Sequence, residues 1–305
     1  MSLQSANSLV QRIFFANYFC GICAIGLSIE ASLQQSFPLN SLFYYATLFA
    51  VTVLYYTIAY IQETSADTTN LRLLWYRQHR KFVMRSQVAM SLIILAFVVY
   101  VLQGNFSRFI QMPLRQWLLI FIFPLIAIAY YGLGSKTLGG YNLRNVGWLK
   151  PFVIGFVWAG LVTIYPVLFY DITNNVAYQF TFIGSLLFLK NFMFVTVLGI
   201  MFDIKDYAMD YNKELKTFVV KVGLRSTIFF ILIPLCMLGF GTFLTYGFTH
   251  HFSVIKMLLN TIPFIALITV AFSMKQRRPI LYYLIIIDGL LLVKAVCGSV
   301  AMVWF

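Results

Sequence analysis

The stretch MFDIKDYAMDYNKELKTFVVKVG, residues 201 to 223, holds Asp203, Asp206, Asp210 and Glu214, four of the 9 acidic residues in the chain. At about 100° per helical residue, Asp203, Asp206 and Asp210 fall within an arc of about 60°, with Glu214 and Thr217 near it if the helix runs on. Carboxylates gathered on one face repel and raise one another's pKa unless a cation joins them. An all-oxygen ligand set of this kind points to Mg²⁺, which favours carboxylates together with substrate phosphates. The plainer alternative is a solvated acidic turn. A second pair weighs against it: YIQETSAD places Glu63 and Asp67 four residues apart on one helical face, repeating the step between Asp206 and Asp210.

The elements that must position these acids are membrane spans. The composition is 61% hydrophobic and 10% charged, with a mean hydropathy of +0.85, far from the roughly 25% charged residues of a soluble domain. Apolar runs of about 20 residues match the hydrocarbon thickness. Nine are expected, over residues 13–30, 41–62, 86–104, 116–134, 147–170, 177–202, 226–248, 253–274 and 279–304. The start of the chain reads as the first span and not as a cleavable signal, having one Arg and no clear small-residue cleavage site.

Basic residues set the orientation, since they resist translocation. Arg12, the group from Arg72 to Arg85, Lys136 to Lys150, Lys205 to Arg225 and Lys275 to Arg278 fall on one side, whereas Arg108, Arg115 and Lys256 fall on the other. The N-terminus and the connections after the second, fourth, sixth and eighth spans are therefore expected in the cytoplasm, the C-terminus outside, and the membrane itself is expected to be a bacterial cytoplasmic (inner) membrane. The net charge of +13 is read as topology and attraction to anionic lipid, which argues against nucleic-acid binding.

Acidic pairs after the second and sixth spans suggest duplication of a four-helix unit, residues 41–170 and 177–304, with the first helix extra. The expected fold is all-α: one polytopic domain of two related four-helix bundles around a central cavity. Two acidic ends facing each other would hold two Mg²⁺ ions bridged by a diphosphate.

These residues resemble the motifs of the UbiA superfamily of intramembrane prenyltransferases. The second motif of that family reads D-x-x-D-x-x-x-D, then Gly, a basic residue and Thr, and a closing Gly. Asp203, Asp206, Asp210, Lys216, Thr217 and Gly223 stand at those spacings, with Glu214 in place of the inner Gly. The first motif, N-D-x-x-D-x-x-x-D, corresponds to Ala59, Tyr60, Glu63 and Asp67, so the leading Asn and Asp are replaced and one Asp is Glu.

The resemblance implies Mg²⁺-dependent transfer of an isoprenyl group from a prenyl diphosphate to a lipophilic or aromatic acceptor. It implies metal ligands at Glu63, Asp67, Asp203, Asp206 and Asp210, and catalytic roles for Asp206 and Asp210, with Tyr60 facing the cavity where the family has Asp. Cationic candidates for the diphosphate are Arg77, Arg80, Lys81, Arg144, Lys150, Lys213 and Lys216; the alternative reading of each is a topology determinant alone. Two other classes stay open: a non-catalytic isoprenoid-binding descendant, and a secondary transporter, which would carry broken helices at the bilayer midplane.

Lys190, Asp288 and Lys294 lie deeper in the spans, where charge is costly. An ion pair between Lys190 and Asp288 is the simplest arrangement, and a part in substrate handling the alternative. Cys20 and Cys23 form a C-x-x-C within the first span and read as small buried hydrophobes.

Overall fold

A computed structural model of the chain describes residues 3–62, 71–131, 146–174, 181–212, 217–274 and 280–305; for residues 3–8, Gln62, Tyr131, Lys205, Asp206 and residues 208–212 it describes the backbone alone. Among the described residues every regular element is a helix. Seven helices are long and apolar enough to cross a membrane, the signature of an integral membrane protein. All nine expected apolar runs contain a helix, but the first is broken and the fourth is the shorter apolar helix Leu114–Tyr130.

The chain divides into two compact units: Met1–Gly26 with Asn40–Gln111, and Leu27–Leu39 with Met112–Phe305. The first unit contains helices α1 (Leu3–Phe15), α3 (Leu42–Gln62), α4 (Leu71–Gln78) and α5 (Arg80–Gln111), and the opening turns of α2 (Tyr18–Gln34). The expected first span is not continuous. Asn17 adopts φ 64°, a left-handed conformation that Asn tolerates better than most residues, and the chain bends by 61° between Leu9–Phe15 and Tyr18–Gln34. Helices α3 and α5 meet through Phe43 against Phe97 and Tyr100. Much of α5 remains exposed, as suits an apolar helix in lipid.

The second unit contains the rest of α2 and then α6 (Leu114–Tyr131), α7 (Lys150–Asn174), α8 (Phe182–Asn212), the short α9 (Phe218–Val222), α10 (Leu224–Thr249), α11 (Val254–Ser273) and α12 (Ile280–Trp304). Its core is aromatic and aliphatic. Phe123 of α6 packs on Phe156 of α7, and Phe194 of α8 meets Phe264 of α11 edge-on with centroids 5.8 Å apart. Helices α7 and α10 each contain one π-helical turn, Gly160–Ile164 and Ile228–Leu232, local adjustments within otherwise continuous helices.

Candidate functional site

The second acidic motif lies at the C-terminal end of α8, which runs unbroken from Phe182 to Asn212 and carries Asp203, Asp206 and Asp210 three and four residues apart. The start of α7 packs against it. Pro151 occupies the first turn of α7, where its missing N–H is not needed, and it lies so close to α8 that a Cβ on Gly199 would come within 3.1 Å of the proline Cβ. One turn beyond Gly199 on the same face is Asp203. Its Oδ1 accepts a hydrogen bond from Lys150 Nζ at 2.6 Å. The Asp203 side chain is 0% exposed and that of Lys150 22%, so the aspartate depends on protein partners while part of the lysine side chain reaches the surface.

Helix α8 is described as far as Asn212, and residues 213–216 lie outside the described residues. Thr217 is extended, with φ −70° and ψ 165°, and opens the short α9. Its buried hydroxyl makes no hydrogen bond among the described residues. The next residue, Phe218, packs edge-on against Phe152 in the first turn of α7, with centroids 6.0 Å apart. The motif's threonine is therefore folded back toward the end of the unit that holds Lys150 and Asp203. Gly223 then turns the chain into α10 at φ 83°, a conformation that strains any residue with a Cβ. The closing Gly of the motif thus has a backbone reason.

Tyr60, three residues before Glu63, is engaged within its own unit. Its hydroxyl accepts from Arg72 Nη1 at 3.0 Å, its ring lies 4.3 Å from the guanidinium, and it stacks on Tyr76 at 4.9 Å. Arg72 also donates to the Phe15 carbonyl from Nε at 3.2 Å and from Nη2 at 2.9 Å. Tyr76 donates to the same carbonyl at 2.8 Å; burial pushes its phenol above the usual range, so it stays a donor. Tyr60 therefore helps to hold the arginine that caps the broken turn between α1 and α2.

Arg77, Arg80 and Lys81 are exposed on α4 and the first turn of α5. Glu63, Asp67, Arg144, Lys213, Glu214 and Lys216 lie outside the described residues, and Asp206 and Asp210 are placed by backbone only. Among the described residues no group of three or more His, Cys, Asp or Glu side chains comes together. Of the cationic candidates, Lys150 is the one brought onto a motif acid among the described side chains.

One expectation for the membrane interior is corrected. Lys190 pairs with Glu30 at 3.2 Å and not with Asp288. Lys294 joins the same carboxylate at 2.5 Å, and Asp288, six residues before it on α12, lies about 120° around the helix and about 9 Å along it. The face that brings Lys294 to Glu30 turns Asp288 elsewhere. Glu30 went unread although the signal was present: it is an acid within an apolar span, where ionisable side chains are costly and require partners.

No family model, curated protein or solved structure matches the chain.

Proposed function

We propose that the protein is an intramembrane prenyltransferase that moves an isoprenyl group from a prenyl diphosphate to a lipophilic or aromatic acceptor. The observation that carries this reading is the contact of Lys150 with Asp203 at the end of the helix that also bears Asp206 and Asp210. A lysine fixed beside Asp203, on the helix whose backbone also carries Asp206 and Asp210, would supply both charges that a metal diphosphate requires.

The donor chemistry suits Mg²⁺, with a division of labour among the acids. Asp203 Oδ1 is engaged by Lys150, so Asp206 and Asp210 would hold the ion, and Asp203 would position the ammonium. Bound Mg²⁺ supplies charge neutralisation at the departing diphosphate. Lys150, whose side chain is partly exposed, binds a phosphate oxygen in this reading, and the apolar interior keeps water from the reacting carbon.

The remaining features of the proposal are nine spans arranged as two related four-helix bundles, a cytoplasmic N-terminus and a location in a bacterial inner membrane. A non-catalytic isoprenoid-binding role is the second reading, favoured by the engagement of Tyr60 with Arg72 where the resembled motif carries a carboxylate. The deciding experiment is Mg²⁺-dependent pyrophosphate release by the purified protein in nanodiscs, given a panel of prenyl diphosphates and lipid-extract acceptors. Release with any pair supports the enzyme. Metal-dependent binding of a prenyl thiodiphosphate without turnover on any acceptor supports the second reading, and the absence of both defeats the proposal.

A further inference from the structure

The second unit holds another group of charges that prenyl transfer does not use. Glu30 of α2, Lys190 of α8 and Lys294 of α12 are 1%, 2% and 3% exposed. Glu30 Oε1 accepts from Lys190 Nζ at 3.2 Å and from Gln34 Nε2 at 3.1 Å, while Oε2 accepts from Lys294 Nζ at 2.5 Å. Lys190 donates a second bond to Gln34 Oε1 at 2.7 Å. Gln34 in turn donates to Asn260 Oδ1 of α11 at 3.1 Å, and its carbonyl accepts from the Tyr246 hydroxyl of α10. Five helices of the unit therefore meet at one buried polar layer.

This layer is separate from the acidic end of α8. Lys190 precedes Asp203 by thirteen residues, about 20 Å along the helix and about 140° around it.

Its charges do not balance. The cluster contains one carboxylate and two ammoniums, and among the described residues Glu30 is the acid that pairs with either lysine. Each ammonium also faces an aromatic ring: Lys190 lies 5.9 Å from the Phe243 centroid and Lys294 5.8 Å from that of Phe194. Both contacts favour the protonated lysine, so neutralisation by proton loss would forfeit one of them. An uncompensated ammonium in an apolar interior is expensive. Hydrogen bonding is equally lopsided, because Lys294 carries three N–H donors and gives one to Glu30 Oε2, its oxygen acceptor among the described residues.

We propose that the Glu30, Lys190 and Lys294 cluster is a binding site for a single monovalent anion, held by the Lys294 ammonium beside the Glu30 carboxylate. The ligand chemistry is one negative charge on a compact acceptor, either chloride from water or the carboxylate of a fatty acid from the bilayer. Glu30 itself shows that the two lysines accept a carboxylate. The inference stands independently of the prenyltransferase reading.

Scintillation-proximity binding of radiolabelled chloride and, separately, radiolabelled oleate to the full-length protein in phosphatidylcholine nanodiscs tests it. The expected result is saturable binding of one equivalent, reduced at least tenfold in Lys294→Met. Chloride binding identifies the aqueous source, whereas oleate binding without chloride binding identifies the lipid source. Glu30→Gln removes the competing carboxylate and should tighten binding about tenfold, a readout that remains should Lys294→Met fail to fold. Absence of saturable binding of both probes to wild type overturns the proposal. So does binding that persists unchanged in folded Lys294→Met, or an affinity unaltered in folded Glu30→Gln.

Discussion

Lys150 Nζ lies 2.6 Å from Asp203 Oδ1, and the two members of the pair differ in what they lose when parted. Lys150→Met removes the cation described beside a fully buried carboxylate and should cost about 3 kcal/mol. Asp203→Asn keeps the shape and leaves the cation on a side chain that is partly exposed, so it should cost less. The double variant should recover part of the loss of Lys150→Met. Unfolding of all three in nanodiscs, read as a double-mutant cycle, measures the coupling, and equal losses in the two single variants would contradict the asymmetry.

Asp206 and Asp210 carry the metal in the proposed chemistry. Asp206→Asn and Asp210→Asn preserve volume and remove charge, so each should lower Mg²⁺-supported turnover on the order of a hundredfold or more. Glu63→Gln, in the less complete motif, should have the smaller effect. Isothermal titration with a prenyl thiodiphosphate, with and without Mg²⁺, checks the binding component. Unchanged metal-dependent binding in both Asp variants would reduce the acidic face to a solvated helix end.

Tyr60 provides a contrast because its described contacts are structural. Tyr60→Phe keeps the stack on Tyr76 and the ring beneath Arg72 while removing one hydrogen bond at 3.0 Å. The expected loss is about 1 kcal/mol of stability, with metal-dependent ligand binding intact. A large fall in that binding with stability unchanged would return Tyr60 to the substrate.

Several features were legible because they depend on local sequence. Apolar runs of span length mark helices wherever they occur, and the spacing of Asp203, Asp206 and Asp210 was readable once a helix was assumed. The positive φ of Gly223 fits a turn glycine. The break at Asn17 carries no Pro or Gly, and what holds it is Arg72, 55 residues away, so periodicity gave no warning. The pairing of Lys190 was misread for a related reason. Opposite charge in the sixth and ninth spans, two helices of one expected bundle, suggested Asp288, but the choice among acids depends on the rotation of each helix, which comes from tertiary packing. Glu30 lies 160 residues from Lys190 and 264 from Lys294. No local pattern encodes such contacts.

The asymmetry of basic residues predicts that Asn40 and Ser135 face opposite sides of the membrane. Single cysteines at these positions, in a background with the native cysteines replaced, should be labelled by an impermeant maleimide from opposite sides. Labelling of both from one side would overturn the nine-span topology.

Gly298 tests how tightly the buried charge layer is fitted. A Cβ there would meet Glu30 Cγ at 2.5 Å and Oε1 at 2.6 Å, closer than real Cβ contacts allow. Glu30 has little freedom to retreat, since Lys190 and Lys294 hold its two oxygens from different helices. Gly298→Ala should therefore displace α12 or distort the ion pairs, a loss of about 1–3 kcal/mol by overpacking. Glu30→Asp shortens the acid by one methylene and weakens its reach to both lysines, so alone it should also destabilise. Combined with Gly298→Ala it makes room for the added methyl, and the double variant should be more stable than the sum of the single losses predicts. Thermal unfolding of the four proteins in nanodiscs gives the coupling directly. Strict additivity would mean that Gly298 and the Glu30 carboxyl do not constrain each other.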